Sequence, residues 1–164
     1  MSSSKLQPLS THSEGVLSWT VLGPKQLFPL PRNRCKIIQF QFIIKNNVKT
    51  SRRVKVQLES PSPILKFRKA QPKRMSRSRI YAKITALSHT IEQSISANAK
   101  ATYDFPAEYA PYLTPHLPAE LILYFGIFVF DENDEIQNRF GPRKITLPIG
   151  GGGSPMAPVD EYTI

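Results

Sequence analysis

Catalysis needs a nucleophile, an acid and a base, or a metal, within reach of one another. Few side chains here offer them. The histidines stand apart at His12, His89 and His116, and the one cysteine is Cys35. No CxxC or HExxH pair is present to gather zinc ligands, so neither a metal nor a cofactor is expected. Acids cluster in "DENDE", where Asp131, Glu132, Asp134 and Glu135 could serve acid/base chemistry or bind calcium. The stretch lacks the glycine and terminal glutamate of a calcium loop, and a solvated turn is the simpler reading. "GGGGS", from Gly150, lacks the lysine and the strand-to-helix setting of a phosphate cradle and reads as linker. Distant Ser, His and Asp residues can still converge in space, but nothing in their spacing selects a triad. Binding, not catalysis, is the expected function.

The chemistry these residue types do offer is electrostatic. "KFRKAQPKRMSRSR", Lys66 to Arg79, carries seven Lys or Arg and no acid in fourteen residues. The net charge of +10 is unevenly divided: residues 1–83 hold 18 Lys or Arg against 2 acids, and residues 84–164 hold 4 against 10. A solvated loop is the simplest reading of such a run. The alternative is a polyanion-binding surface built from Arg52, Arg53, Lys55, Lys66, Arg68, Lys69, Lys73, Arg74, Arg77 and Arg79. Those residues are expected to form one basic face, contacting phosphates through charge alone. Anionic lipid heads would suit it equally, each Lys or Arg near an acidic leaflet contributing about 1 kcal/mol. Aromatic residues that could stack on bases are sparse in this region; Phe67 and Tyr81 are read as core. The acidic half supplies a complement. Asp131, Glu132, Asp134 and Glu135, with Asp160, Glu161, Tyr162 and Ile164 near the C-terminus, are candidates for self-association, because a contact between two different patches can propagate.

The elements that position these groups read as strands. In "KIIQFQFIIK", Ile38, Phe40, Phe42 and Ile44 share one face, and in "RVKVQLE" Val54, Val56 and Leu58 do the same. "KNNVKTSR" between them suggests a hairpin turn. "VLSWTVL", "RIYAKITAL" and "KITLPI" are further strands, with Pro148 marking an edge or strand end. The apolar run Leu121 to Phe130 does not alternate in the same way, which predicts a central strand covered on both faces. "HTIEQSISANAKA" fits helix or strand, with strand preferred. The expected fold is mainly β: an antiparallel sheet or sandwich of about six strands with at most one or two short helices. It would occupy residues 16–149, between flexible tails at 1–15 and 150–164. The lone cysteine and the absence of an apolar leader in "MSSSKLQPLS" suggest a reducing, intracellular setting. The ten-residue run to Phe130 is about half of what spans a bilayer.

The segment order "CKIIQFQFIIKNN", "RIYAKITALSHT", then "KATYDFPAEYAPYLTPHLPAELILYFGIFVFDENDE", behind a Ser-rich leader, resembles the layout of rhabdovirus matrix proteins, particularly the shorter plant-infecting members. The resemblance covers roughly residues 16–136 and rests on pattern, without a diagnostic motif; no PPxY is present, and "YAPYL" is only a loose relative of tyrosine-based budding motifs. It implies a virion structural protein beneath the envelope and in the host cytoplasm, peripheral to membrane. Such a protein binds and condenses the nucleocapsid, meets its own copies, and links the nucleocapsid to anionic lipid, with RNA as a non-specific ligand. The alternatives are an RNA-binding capsid or movement-type β-sandwich, and a cellular β-sandwich adaptor. Replacing Lys66, Arg68, Lys69, Lys73, Arg74, Arg77 and Arg79 together by Ser is expected to weaken binding to RNA and to anionic vesicles while leaving the fold intact. Vesicle sedimentation and filter binding at moderate salt check this, and unchanged affinities would remove the segment from the binding surface.

Overall fold

The computed structural model of the chain describes residues 6–13, 15–68 and 85–150. Ten strands follow one another: β1 (Gln7–His12), β2 (Leu17–Gly23), β3 (Lys36–Asn46), β4 (Arg52–Glu59), β5 (Leu65–Arg68), β6 (Thr85–Ala86), β7 (Ser88–Ile95), β8 (Lys100–Tyr109), β9 (Glu120–Phe130) and β10 (Ile136–Pro148). A 3-10 turn, Pro111–Leu113, is the one helical element among the described residues. The strands form two antiparallel sheets, six-stranded in the order β1-β2-β3-β8-β5-β6 and four-stranded in the order β10-β9-β4-β7. The fold is mainly β, as the period-two patterns require.

Alternation decides which face of each strand is buried. Ile38, Phe40, Phe42 and Ile44 of β3 and Val54, Val56 and Leu58 of β4 are at most 3% exposed. They meet the inward residues of the other strands in one core, where Phe42 packs edge-on against Phe105 and, across the sheets, against Phe125 at 5.2 Å between centroids. Tyr103 of β8 reaches across the same space, and its hydroxyl donates to the Val54 carbonyl of β4 at 2.8 Å. Burial pushes the Tyr103 phenol above its ordinary value of 10.

Asn46, fully buried, holds the corner at which the chain leaves the six-stranded sheet. Its Nδ2 donates to the carbonyls of Thr50, Ile95 and Ser96 at 2.9, 3.0 and 3.2 Å, and its Oδ1 accepts from Val48 N. Its backbone N–H donates to Ala99 O. One side chain therefore ties together the β3-to-β4 and β7-to-β8 crossovers, both of which pass between sheets. This corrects the expected hairpin. β3 pairs with β2 and β8, whereas β4 pairs with β7 and β9. Asn47 completes the corner by donating to Gly15 O and Ser18 Oγ.

Other expectations also change. Residues 7–12, expected within a flexible tail, form β1, because pairing with β2 satisfies their backbone and His12 stacks on Trp19 at 4.3 Å. The strand count rises from about six to ten. Residues 88–95 and 100–109 are strands joined by a turn in which Asn98 takes a positive φ of 55°, so the preference for strand holds. β9 is central, but it is covered on one face only: Tyr124 on the other is 38% exposed. Its outward residues are simply apolar, which conceals the alternation. Pro148 ends β10 at the sheet edge, as expected.

Removing the side chain of Asn46 leaves the buried Ile95 carbonyl, the part-buried Thr50 and Ser96 carbonyls and the Val48 N–H without this partner, an unsatisfied buried group costing about 1–3 kcal/mol. Asn46→Ala is expected to lower unfolding free energy by about 3 kcal/mol and Tm by about 6–12 °C. Calorimetry that finds a change of only about 1 °C would remove Asn46 as the corner tie. Tyr103 adds a pH dependence. Its stabilising contribution is fully present below pH 10, where the unfolded phenol is also neutral, and is lost as pH rises above 10, since only the unfolded chain then ionises. Tyr103→Phe should flatten the alkaline limb of a stability profile.

Candidate binding face

The outward face of the four-stranded sheet carries rows of side chains fixed by strand register. Arg53 of β4 stands opposite Phe130 of β9, Lys55 opposite Phe128, Gln57 opposite Gly126 and Glu59 opposite Tyr124. On the β7 side, Lys55 faces Glu92; on the β10 side, Arg139 faces Phe128 and Lys144 faces Tyr124. Cations thus alternate with aromatic rings. The Lys55 ammonium lies 5.4 Å from the centroids of both Phe128 and Phe130, and the guanidinium carbon of Arg139 lies 5.3 Å from Phe128. A cation over a ring is attracted by the quadrupole without being neutralised, so its charge remains available.

Arg53 differs from its neighbours. It lies 4.7 Å over Phe130 and makes ion pairs with Glu92 and Asp134, which hold its guanidinium firmly charged. Arg52 is spent on the corner, donating to Gln137, Thr50 and Ser51. Lys66 and Arg68 of β5 project from the six-stranded sheet, beside Glu108, with Arg68 and Glu108 at 3.5 Å. The basic residues therefore do not share one surface: those of β4 and β5 belong to different sheets and point away from each other across the core. Lys69, Lys73, Arg74, Arg77 and Arg79 lie outside the described residues.

The "DENDE" segment is the exposed turn between β9 and β10. Asp131 caps it, its Oδ1 accepting from Asn133 N at 2.8 Å and Glu135 N at 3.0 Å. The Glu135 amide, then that of Asn133, holds the Asp131 carboxyl below its ordinary 3.8. Asp134, at a positive φ of 64°, is paired with Arg53. Two of the four acids assigned to self-association are thus engaged within the chain, whereas Glu132 and Glu135 have no ion pair among the described residues. Asp160, Glu161, Tyr162 and Ile164 lie outside the described residues.

Among the described residues, two cavities bear on this framework. One, of about 200 Å³, lies on the cation-aromatic face and is lined by Gln57, Glu59, Tyr124, Gly126, Phe128, Arg139 and Pro142. The other, of about 490 Å³, lies between the β2–β3 and β8–β9 loops, against Pro29, Arg32, Asn33, Pro111, Tyr112 and Thr114. No group of three or more His, Cys, Asp or Glu among the described residues could hold a metal ion, and no helix among them is long and apolar enough to cross a membrane. Sequence reasoning missed Tyr124, Phe128, Phe130, Arg139 and Lys144 as partners of the basic strand. Their signal was the alternation of β9 and β10, once β9 is known to lie beside β4.

No family model and no curated protein matches the chain. Among solved structures, a structural-genomics target, SoR45, is similar with a TM-score of 0.43 and 10% identity, over 85% of this chain and 91% of that one. Spo0M, a sporulation control protein from Bacillus subtilis, is similar with a TM-score of 0.39 and 11% identity, over 84% of this chain and 50% of that one. Likenesses this distant carry no argument about function.

The turn geometry has a direct consequence. Asp131→Ala is expected to speed amide hydrogen exchange at Asn133 and Glu135 while leaving the core protected, and protonating Asp131 should do the same. Its contribution is present above pH 3.8 and is lost as pH falls through the lowered value. Exchange rates at those amides that ignore both changes would show that the cap is not what holds the turn.

Proposed function

We propose that the chain is a non-enzymatic structural protein of matrix type, binding a polyanionic partner, the nucleocapsid, through the outward face of its four-stranded sheet. The row Lys55–Phe128–Arg139 carries this reading, because it sets two cations over one ring on an open face with no ion pair to either among the described residues. Lys144 extends the positive rim. Anionic headgroups satisfy the same electrostatics, which fits a protein lying between nucleocapsid and envelope. Contact between copies would use Glu132 and Glu135 against basic surface elsewhere, a pairing of unlike patches that need not close. Direct binding of naked RNA is the second reading, favoured by the aromatic rings lying between the cations.

Changing Lys55, Arg139 and Lys144 together to Ala is expected to weaken binding to heparin, anionic vesicles and RNA and to flatten the salt dependence by about three contacts. Lys66→Ala with Arg68→Ala, on the other sheet, should have the smaller effect. The reverse ranking would overturn the choice of face. Glu132→Lys with Glu135→Lys should shift sedimentation toward monomer, most at low salt. A wild-type chain monomeric at every concentration, with and without polyanion, would remove the assembly role and favour an adaptor.

A further inference from the structure

At the centre of the cation-aromatic face one position in the β9 row is empty of side chain. Gly126 lies between Tyr124 and Phe128 on β9, opposite Gln57 on β4. On its other side β10 bulges, the register slipping between Phe140 and Arg143. Gly141 makes that bulge possible: its φ is 107°, and a Cβ there would lie 2.6 Å from Phe125 O. At Gly126 the situation is the opposite. A Cβ would meet nothing closer than the Phe128 ring edge at 3.4 Å, so the missing side chain is a gap rather than a steric necessity. The gap and the bulge together form the cavity of about 200 Å³.

Resting on the reading of this face as polyanion-binding, we propose that this cavity takes one unpaired base of single-stranded RNA while the cations on its rim hold the flanking phosphates. The residues divide accordingly. Tyr124 supplies a ring face, which any base can use for stacking, and Phe128, with Lys55 and Arg139 over its ring, turns its edge to the cavity. Arg139 lines the cavity, and Lys144 and Lys55 stand in the rows to either side, at positions suited to a backbone passing across the strands. Glu59 lines the cavity as well, and its carboxylate disfavours an anion inside, so phosphate stays at the rim and the neutral base enters. Glu59 and Gln57 also present acceptors to base N–H groups; a carboxylate suits the exocyclic amino group of cytosine. The occupant is single-stranded because bases in an A-form duplex are stacked and paired, with only their edges open to protein.

The test compares labelled oligo(C) RNA with an abasic oligomer of equal length and charge, by fluorescence anisotropy at fixed salt. The wild-type chain is expected to bind oligo(C) about tenfold more tightly than the abasic strand, the worth of roughly one stacked base. Gly126→Val, a strand-favouring change that fills the cavity, should abolish that difference and leave abasic binding unaltered. Tyr124→Ala, on the outward face, should reduce it while the chain stays folded, with a melting temperature lowered by only a few degrees. Glu59→Ala should erase a preference for oligo(C) over oligo(U). Equal wild-type affinity for oligo(C) and abasic strands overturns the base site while leaving the polyanion face standing, and failure to bind either overturns both. Unchanged oligo(C) affinity in Gly126→Val and Tyr124→Ala also overturns it, including where these variants instead lose a protein partner.

Discussion

A chain that builds two sheets must pass between them without leaving buried backbone groups unpaired, and here that constraint converges on Asn46. Its amide faces three carbonyls from two separate crossovers, and its carbonyl holds the Val48 N–H. A hydrophobic residue would suit the surrounding core but would orphan these groups. Asparagine serves because a single planar amide both donates and accepts. With the corner closed, β4 is committed to the four-stranded sheet, between β7 and β9.

That commitment creates the binding face. Had β4 paired with β3, Arg53 and Lys55 would lie beside a face made of Ile37, Gln39, Gln41, Ile43 and Lys45, with no aromatic ring. Beside β9 they stand against Phe130 and Phe128 instead. The rings limit solvent around the cations on one side, and among the described residues none of them has an ion pair except Arg53, whose pair with Asp134 fastens the β9–β10 turn and whose pair with Glu92 ties β4 to β7. Local composition does not describe this surface, since its aromatic rings come from the acidic second half of the chain while its cations come from both, Arg53 and Lys55 from β4 and Arg139 and Lys144 from β10.

The strands were legible where alternation was strong. Ile38 to Ile44 and Val54 to Leu58 are buried in the pattern their spacing demands, because period two is a local property. The pairing of strands is not local. Asn46 and Asn47 resemble hairpin residues in sequence, and only their three-dimensional partners show that they turn a corner between sheets. β1 was hidden by its polar composition: it is an edge strand, with only Leu9 partly packed on the core and His12 lying against Trp19. In the candidate site, Arg53 and Lys55 were visible in the sequence, Arg139 and Lys144 were missed, and the aromatic members were misassigned to a fully covered strand. The cavity at Gly126 left no motif at all, since one glycine gains its meaning from a bulge formed fifteen residues later.

Mapping amide chemical shifts during titration with a short single-stranded RNA tests the placement of the binding face most directly. The account predicts that perturbations concentrate at Lys55, Gln57, Gly126, Phe128 and Arg139, on adjacent strands of the four-stranded sheet. Perturbations confined to Ile37, Lys66, Arg68 and Glu108, on the outward face of the six-stranded sheet, would contradict it.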